Sequence, residues 1–71
     1  MQKKNSLRRL RKAQNLSIME LAAITGVSTA RIVGVERYGL YPGPSVRERL
    51  SRALRVCEVA IWPDIEVSDG E

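Results

Sequence analysis

The chain has no histidine and a single cysteine, Cys57, among its 71 residues, so packing alone has to hold it folded. A disulfide within the chain needs a second cysteine, and a Cys/His zinc site needs ligands that are absent. Domains of this size bury only about 60% of the surface their unfolded chains expose, and their cores supply only about 3–5 kcal/mol net. A fold living on that margin must consist of regular local elements around one core. With 44% hydrophobic and 28% charged residues, the chain has the apolar material for this and is too apolar to be disordered. The same inventory removes serine–histidine and cysteine–histidine catalytic pairs, so no enzyme, metal or cofactor is expected. A lone cysteine also suits a reducing cytosol.

Hydrophobic spacing divides the chain into five short helical segments with no alternating strand pattern, which predicts an all-α fold. The first runs from about Ser6 to Gln14, with Leu7, Leu10 and Ala13 expected inward. Asn15 follows where a left-handed helix end is needed, a conformation Asn tolerates. The second opens at Ser17: Ser17-Ile18-Met19-Glu20 spells a capping box, in which hydroxyl and carboxylate satisfy helix-start amides. Gly26 stops it. Ser28 is placed to cap a third segment reaching about Tyr38, with Ile32 and Val35 as its inner edge and Val27 just before it. Gly39 to Pro44 is rich in helix breakers and predicts a loop. Ser45-Val46-Arg47-Glu48 reads as a second capping box, opening a helix with Val46, Leu50, Ala53 and Leu54 at i, i+4, i+7 and i+8. A last segment, Glu58 to Trp62, ends at Pro63. One domain over residues 1–63 is expected, with a fraying acidic tail at 64–71.

Charge is unevenly placed. All twelve lysines and arginines lie in residues 1–62 against four acids, giving +8, while residues 63–71 hold four acids and no base, giving −4. A body this basic points to a polyanion, either nucleic acid or an anionic membrane surface; the alternative is a merely well-solvated surface. No run approaches the roughly 18–20 apolar residues of a membrane span. The fourth segment is too short and too lightly apolar to anchor on a membrane surface, so no membrane partner is expected. The basic start, Met1 to Lys4, leads into Leu7-Arg8-Arg9-Leu10-Arg11-Lys12 and not into an apolar stretch, so a secretory signal is not expected and a cytoplasmic, nucleoid-associated location is.

The second and third segments carry the functional signal. Ala22 is small where two helices must approach closely, Gly26 supplies a turn with positive φ, and Val27 plugs the corner. Ile32 and Val35 are placed to pack back on Leu21. Two helices joined by so tight a glycine turn must cross steeply, as in a helix-turn-helix; an αα-corner without a nucleic-acid role is the other reading. The series Leu10-Arg11, Leu16-Ser17, Leu21-Ala22, Gly26-Val27-Ser28, Ile32, Glu36, Pro44-Ser45 and Leu50-Ala53-Leu54, closing with Ile61-Trp62-Pro63-Asp64, resembles the lambda-repressor/Cro-like (XRE-type) helix-turn-helix proteins of bacteria and phages. The resemblance covers roughly residues 6–63.

That resemblance implies a compact five-helix bundle whose third helix, about residues 28–38, enters the major groove of double-stranded DNA. By match to the family's positions, Ser28 and Thr29 open that helix beside a phosphate and the first base edges, and Ala30, Val33, Gly34 and Arg37 lie along the groove-facing stripe. Periodicity puts Thr29, Val33 and Arg37 on one face and Ile32 and Val35 on the other. Arg31 sits at the flank, within reach of a phosphate or a guanine. The amides near Ser17 and Ile18 face a phosphate, as helix N-termini favour anions. Arg11 and Glu36 match the family's pair tying the first helix to the end of the third; plain surface charge is the alternative. Two departures stand out. Ile18 occupies a position where the family often has glutamine. Ala30, Val33 and Gly34 carry no hydrogen-bonding side chain, so affinity is expected mainly from phosphates, with thin base specificity from contacts such as Val33 or Ala30 on a thymine methyl.

Other residues have two readings each. Tyr38 and Tyr41 either touch the DNA backbone or pack the loop. Arg47, Arg49, Arg52 and Arg55 form a second phosphate contact or a solvated face. Ile61 and Trp62 are core or a homodimer contact, since such binders usually pair on two-fold sites. Cys57 is expected to be half-buried. The function expected is that of a small transcriptional regulator, such as a repressor, with no small-molecule substrate. A protein-interaction adaptor or antitoxin-like module on the same fold is the alternative, kept open by the apolar stripe Ala30, Val33 and Gly34.

Overall fold

Residues 5–63 are described in the structure, which is a computed structural model. Five helices follow in order, α1 (Leu7–Ala13), α2 (Ile18–Thr25), α3 (Thr29–Tyr38), α4 (Pro44–Leu54) and α5 (Glu58–Ile61), and no strand occurs among the described residues. The expected all-α bundle is present. The tail 64–71 lies outside the described residues.

The helix boundaries follow local chemistry. Before α1, the Asn5 carboxamide accepts from Leu7 N–H (3.0 Å) and donates to the Val35 carbonyl (2.9 Å), so the chain entrance is tied to α3. Asn15 takes the left-handed conformation its residue type predicts (φ 59°). The Ser17 capping box forms in both directions, Glu20 N–H to Ser17 Oγ at 2.9 Å and Ser17 N–H to Glu20 Oε1 at 2.8 Å. Gly26 and Gly39 close α2 and α3 with φ of 74° and 67°. The second capping box is not used. α4 starts two residues earlier, with Gly43 in place of Ser45 as N-cap and Pro44 in the first turn. Proline at that position has a φ already suited to the helix, and its missing N–H is one no helix could satisfy there.

Leu7, Leu21, Ile32, Val35, Leu50, Leu54, Ile61 and Trp62 are completely buried, with Val27 nearly so, and together they form one core drawn from every helix. Each such side chain contributes about 1.5–3 kcal/mol by leaving water. Ile61 and Trp62 are thus core residues and offer nothing to a second copy. Ala13, expected inward, is exposed, and Arg11 takes the interior place on α1. Arg11 is four residues from Leu7 and shares its face, whereas Ala13 is swung well around the helix. Cys57 is exposed, not half-buried, because it caps the start of α5 on the bundle surface.

Candidate nucleic-acid interface

The corner between α2 and α3 is built from four consecutive residues, Thr25 to Ser28. Gly26 N–H donates to the Ala22 carbonyl at 2.8 Å, ending α2. Thr25 is buried, and its hydroxyl donates to the Leu21 carbonyl (2.7 Å) while accepting from Val27 N–H (3.1 Å), so the turn is braced from inside. Ser28 Oγ accepts from Arg31 N–H at 3.2 Å and caps α3 as its type predicts.

Behind α3 lies the Arg11–Glu36 pair. Arg11 Nε donates to Glu36 Oε2 at 2.7 Å and a second guanidinium nitrogen donates to Oε1 at 3.1 Å, with the side chains 8% and 3% exposed. Arg11 also donates to the Leu16 carbonyl at 2.6 Å. The bond to Glu36 raises the Arg11 pKa above its ordinary value, against the opposing effect of burial. This is a desolvated two-point tie holding α3 against α1 and the chain that leads into α2, not surface charge.

In front of α3, Thr29, Ala30, Arg31, Arg37 and Tyr38 are exposed and Val33 is half-buried. Among the described residues, no side chain pairs with Thr29, Arg31 or Arg37 by hydrogen bond or salt bridge. Ser28, Ala30 and Arg31 share an open cleft of about 480 Å³ with Leu40 to Gly43 of the following loop. Ser17, exposed, and Ile18, half-buried against the core, stand at the start of α2. The Ile18 side chain therefore faces inward; helix geometry leaves the N–H groups of Ile18 and Met19 without intrahelical partners.

Gly34 departs from its place on the expected outward stripe. It is buried, and a β-carbon there would stand 2.5 Å from Leu40 Cδ1. Its carbonyl accepts from the N–H groups of both Gly39 and Leu40, the latter at 3.2 Å. Mid-helix glycine costs about 1 kcal/mol relative to alanine, and here it makes room for a loop side chain. Leu40 is itself 54% exposed, so it covers Gly34 and presents its other side to solvent.

Sequence reasoning assigned no role to Leu40 and left Arg47 among surface cations. Arg47 donates to Glu58 Oε1 at 3.0 Å and to the Pro42 carbonyl at 2.8 Å, and its guanidinium carbon lies 4.7 Å from the centre of the Tyr41 ring. Tyr41 in turn meets Trp62 edge-on at 5.8 Å. Arg47 is thus a clamp fixing the loop after α3 onto α5, and its helical spacing gave no signal of this. Tyr41 packs in that clamp, while Tyr38 is 60% exposed at the end of α3. Among the described residues, no cluster of His, Cys, Asp and Glu could hold a metal ion.

The sequence matches the helix-turn-helix family over residues 7–61, all five helices included, and the chain belongs to that family. The same sequence finds no match among curated proteins. The family assignment points to DNA binding and regulation as the work of the domain.

Proposed function

We propose that the chain is a small transcriptional regulator of the lambda-repressor/Cro (XRE) type, of bacterial or phage origin, that places α3 in the major groove of double-stranded DNA. The observation that carries this reading is the contrast on α3: a back side fixed by core packing and the Arg11–Glu36 tie, and a front side where Thr29, Arg31 and Arg37 have no side-chain partner among the described residues. A rigid element presenting exposed cations and a hydroxyl from a body of charge +8 is built to meet a polyanion. In this reading Arg37 and Arg31 take phosphates or a guanine edge, and Ser28 and Thr29 stand at the groove mouth. The free amides of Ile18 and Met19 face a phosphate at the start of α2. Tyr38 reaches the backbone. Regulation follows from occupying promoter or operator DNA in the cytoplasm, either as a monomer or as a homodimer on a two-fold site.

Measured across a salt series, duplex binding should weaken with a log–log slope near −0.9 for each phosphate contacted. Binding indifferent to salt would reject the reading. One observation favours a second function, an adaptor or antitoxin-like module: Ala30, Val33 and Leu40 make part of the front side apolar. Salt-independent capture of a protein, without duplex binding, would establish that alternative.

A further inference from the structure

We infer that Leu40, a loop residue, reads the 5-methyl group of a thymine in the groove, in the place where a helix side chain from position 34 would otherwise stand. This rests on α3 being the groove helix. At about 100° per residue, positions 30 and 34 lie about 40° apart on α3, so the surface over Gly34 adjoins Ala30 on the outward side. Leu40 occupies that surface: its Cδ1 comes within 2.5 Å, and its Cγ within 3.4 Å, of where a Gly34 β-carbon would be.

Leu40 is anchored there. Its N–H donates to the Gly34 carbonyl at 3.2 Å, and two residues on the Pro42 carbonyl is held by Arg47 at 2.8 Å. A backbone fixed at both ends leaves a branched aliphatic group 54% exposed beside Ala30. Neither Leu40, Ala30 nor Val33 can hydrogen-bond a base edge. The one apolar feature in the major groove is the thymine methyl, which distinguishes that base from the other three. Thin hydrogen-bonding capacity on α3 and an aliphatic cover over its glycine therefore describe one device, a methyl reader.

The test uses the full chain and duplexes it enriches from a random pool. Each thymine of an enriched duplex is replaced in turn by deoxyuridine, which lacks only the methyl group. One replacement should weaken binding about fourfold, the equivalent of one buried methyl at about 0.8 kcal/mol. Leu40→Ala should bind the thymine and deoxyuridine duplexes equally, which is the coupling a double-mutant cycle reads. Gly34→Ala, which displaces Leu40 without shortening it, should also lose the discrimination, and circular dichroism checks that both variants are helical. If wild type distinguishes no thymine from deoxyuridine, the inference is wrong. It is also wrong if Leu40→Ala weakens all duplexes alike while keeping the fourfold preference, since Leu40 would then only support the loop. A chain that enriches no duplex and shows no salt-dependent binding refutes the DNA reading itself, and this inference with it.

Discussion

The back of α3 sets Ile32 and Val35, both completely buried, against the core and pins Glu36 by two hydrogen bonds from Arg11. The front sets out Thr29, Ala30, Arg31 and Arg37, all exposed, with Leu40 laid across Gly34 between them and the loop. One helix of ten residues thus carries two kinds of chemistry. Its back is satisfied by the protein and fixes position; its front is exposed and finds no side-chain partner among the described residues. Substitutions on the two sides should therefore separate stability from binding.

The largest expected effect on stability is at the back. Glu36→Ala leaves the Arg11 guanidinium buried beside no carboxylate, and breaking a buried pair in this way costs about 3–5 kcal/mol. That is comparable to the whole net stability of so small a domain, so chemical denaturation should find the variant largely unfolded. A loss under about 1 kcal/mol would mean the tie behaves as an exposed pair and that the back of α3 is held by packing alone. Through Arg11 the pair should add no pH dependence near neutrality. Its pKa is raised, so the stabilisation is complete below the ordinary arginine range and is lost only as pH rises through the higher folded value. A stability change between about pH 6 and pH 9 must come from other groups.

At the boundary between the two sides stands Ser28. Ser28→Ala removes the oxygen that accepts from Arg31 N–H, and losing such a cap costs about 0.5–2 kcal/mol. Thermal melting should show a loss in that range, and duplex binding by the remaining folded protein tests whether the hydroxyl does more than cap. If Ser28→Gly recovers most of the stability but not the binding, the side chain has a second role, because glycine caps nearly as well.

How far the sequence reveals the two sides depends on the range of the interactions. Asn15, the Ser17 box, Gly26 and Ser28 act on their own next few residues, so residue type and spacing determine them. Arg11 and Glu36 are 25 positions apart, and only resemblance to a family links them before the structure does. Gly34 looks outward by helical period and is buried nonetheless, because the covering side chain comes from a loop whose path no period describes. Arg47 escapes for the same reason: Pro42 and Glu58 come from a loop and another helix. Ser45 shows that a valid local motif can lose to a neighbouring one, since Gly43-Pro44 starts α4 earlier without a side-chain cap.

The smallest effects on stability should come from the front, where the effects on binding are concentrated. Thr29→Ala and Arg37→Ala remove exposed side chains with no partner among the described residues, so each should change stability by less than about 0.5 kcal/mol. Their binding phenotypes should differ in kind. Arg37→Ala should weaken preferred and random duplexes alike and reduce the salt slope by about one, because one phosphate contact fewer releases one counterion fewer. Thr29→Ala should leave the slope intact and cost about 1–3 kcal/mol on the preferred duplex alone, because a hydroxyl at the groove mouth meets a base edge and not a diffuse charge. Should Thr29→Ala leave the preference untouched, base reading moves off the Thr29–Val33–Arg37 face and onto Ala30 and Leu40. Should Arg37→Ala alter preference without altering slope, Arg37 reads a guanine, and the front of α3 specifies sequence by hydrogen bonds as well as by shape.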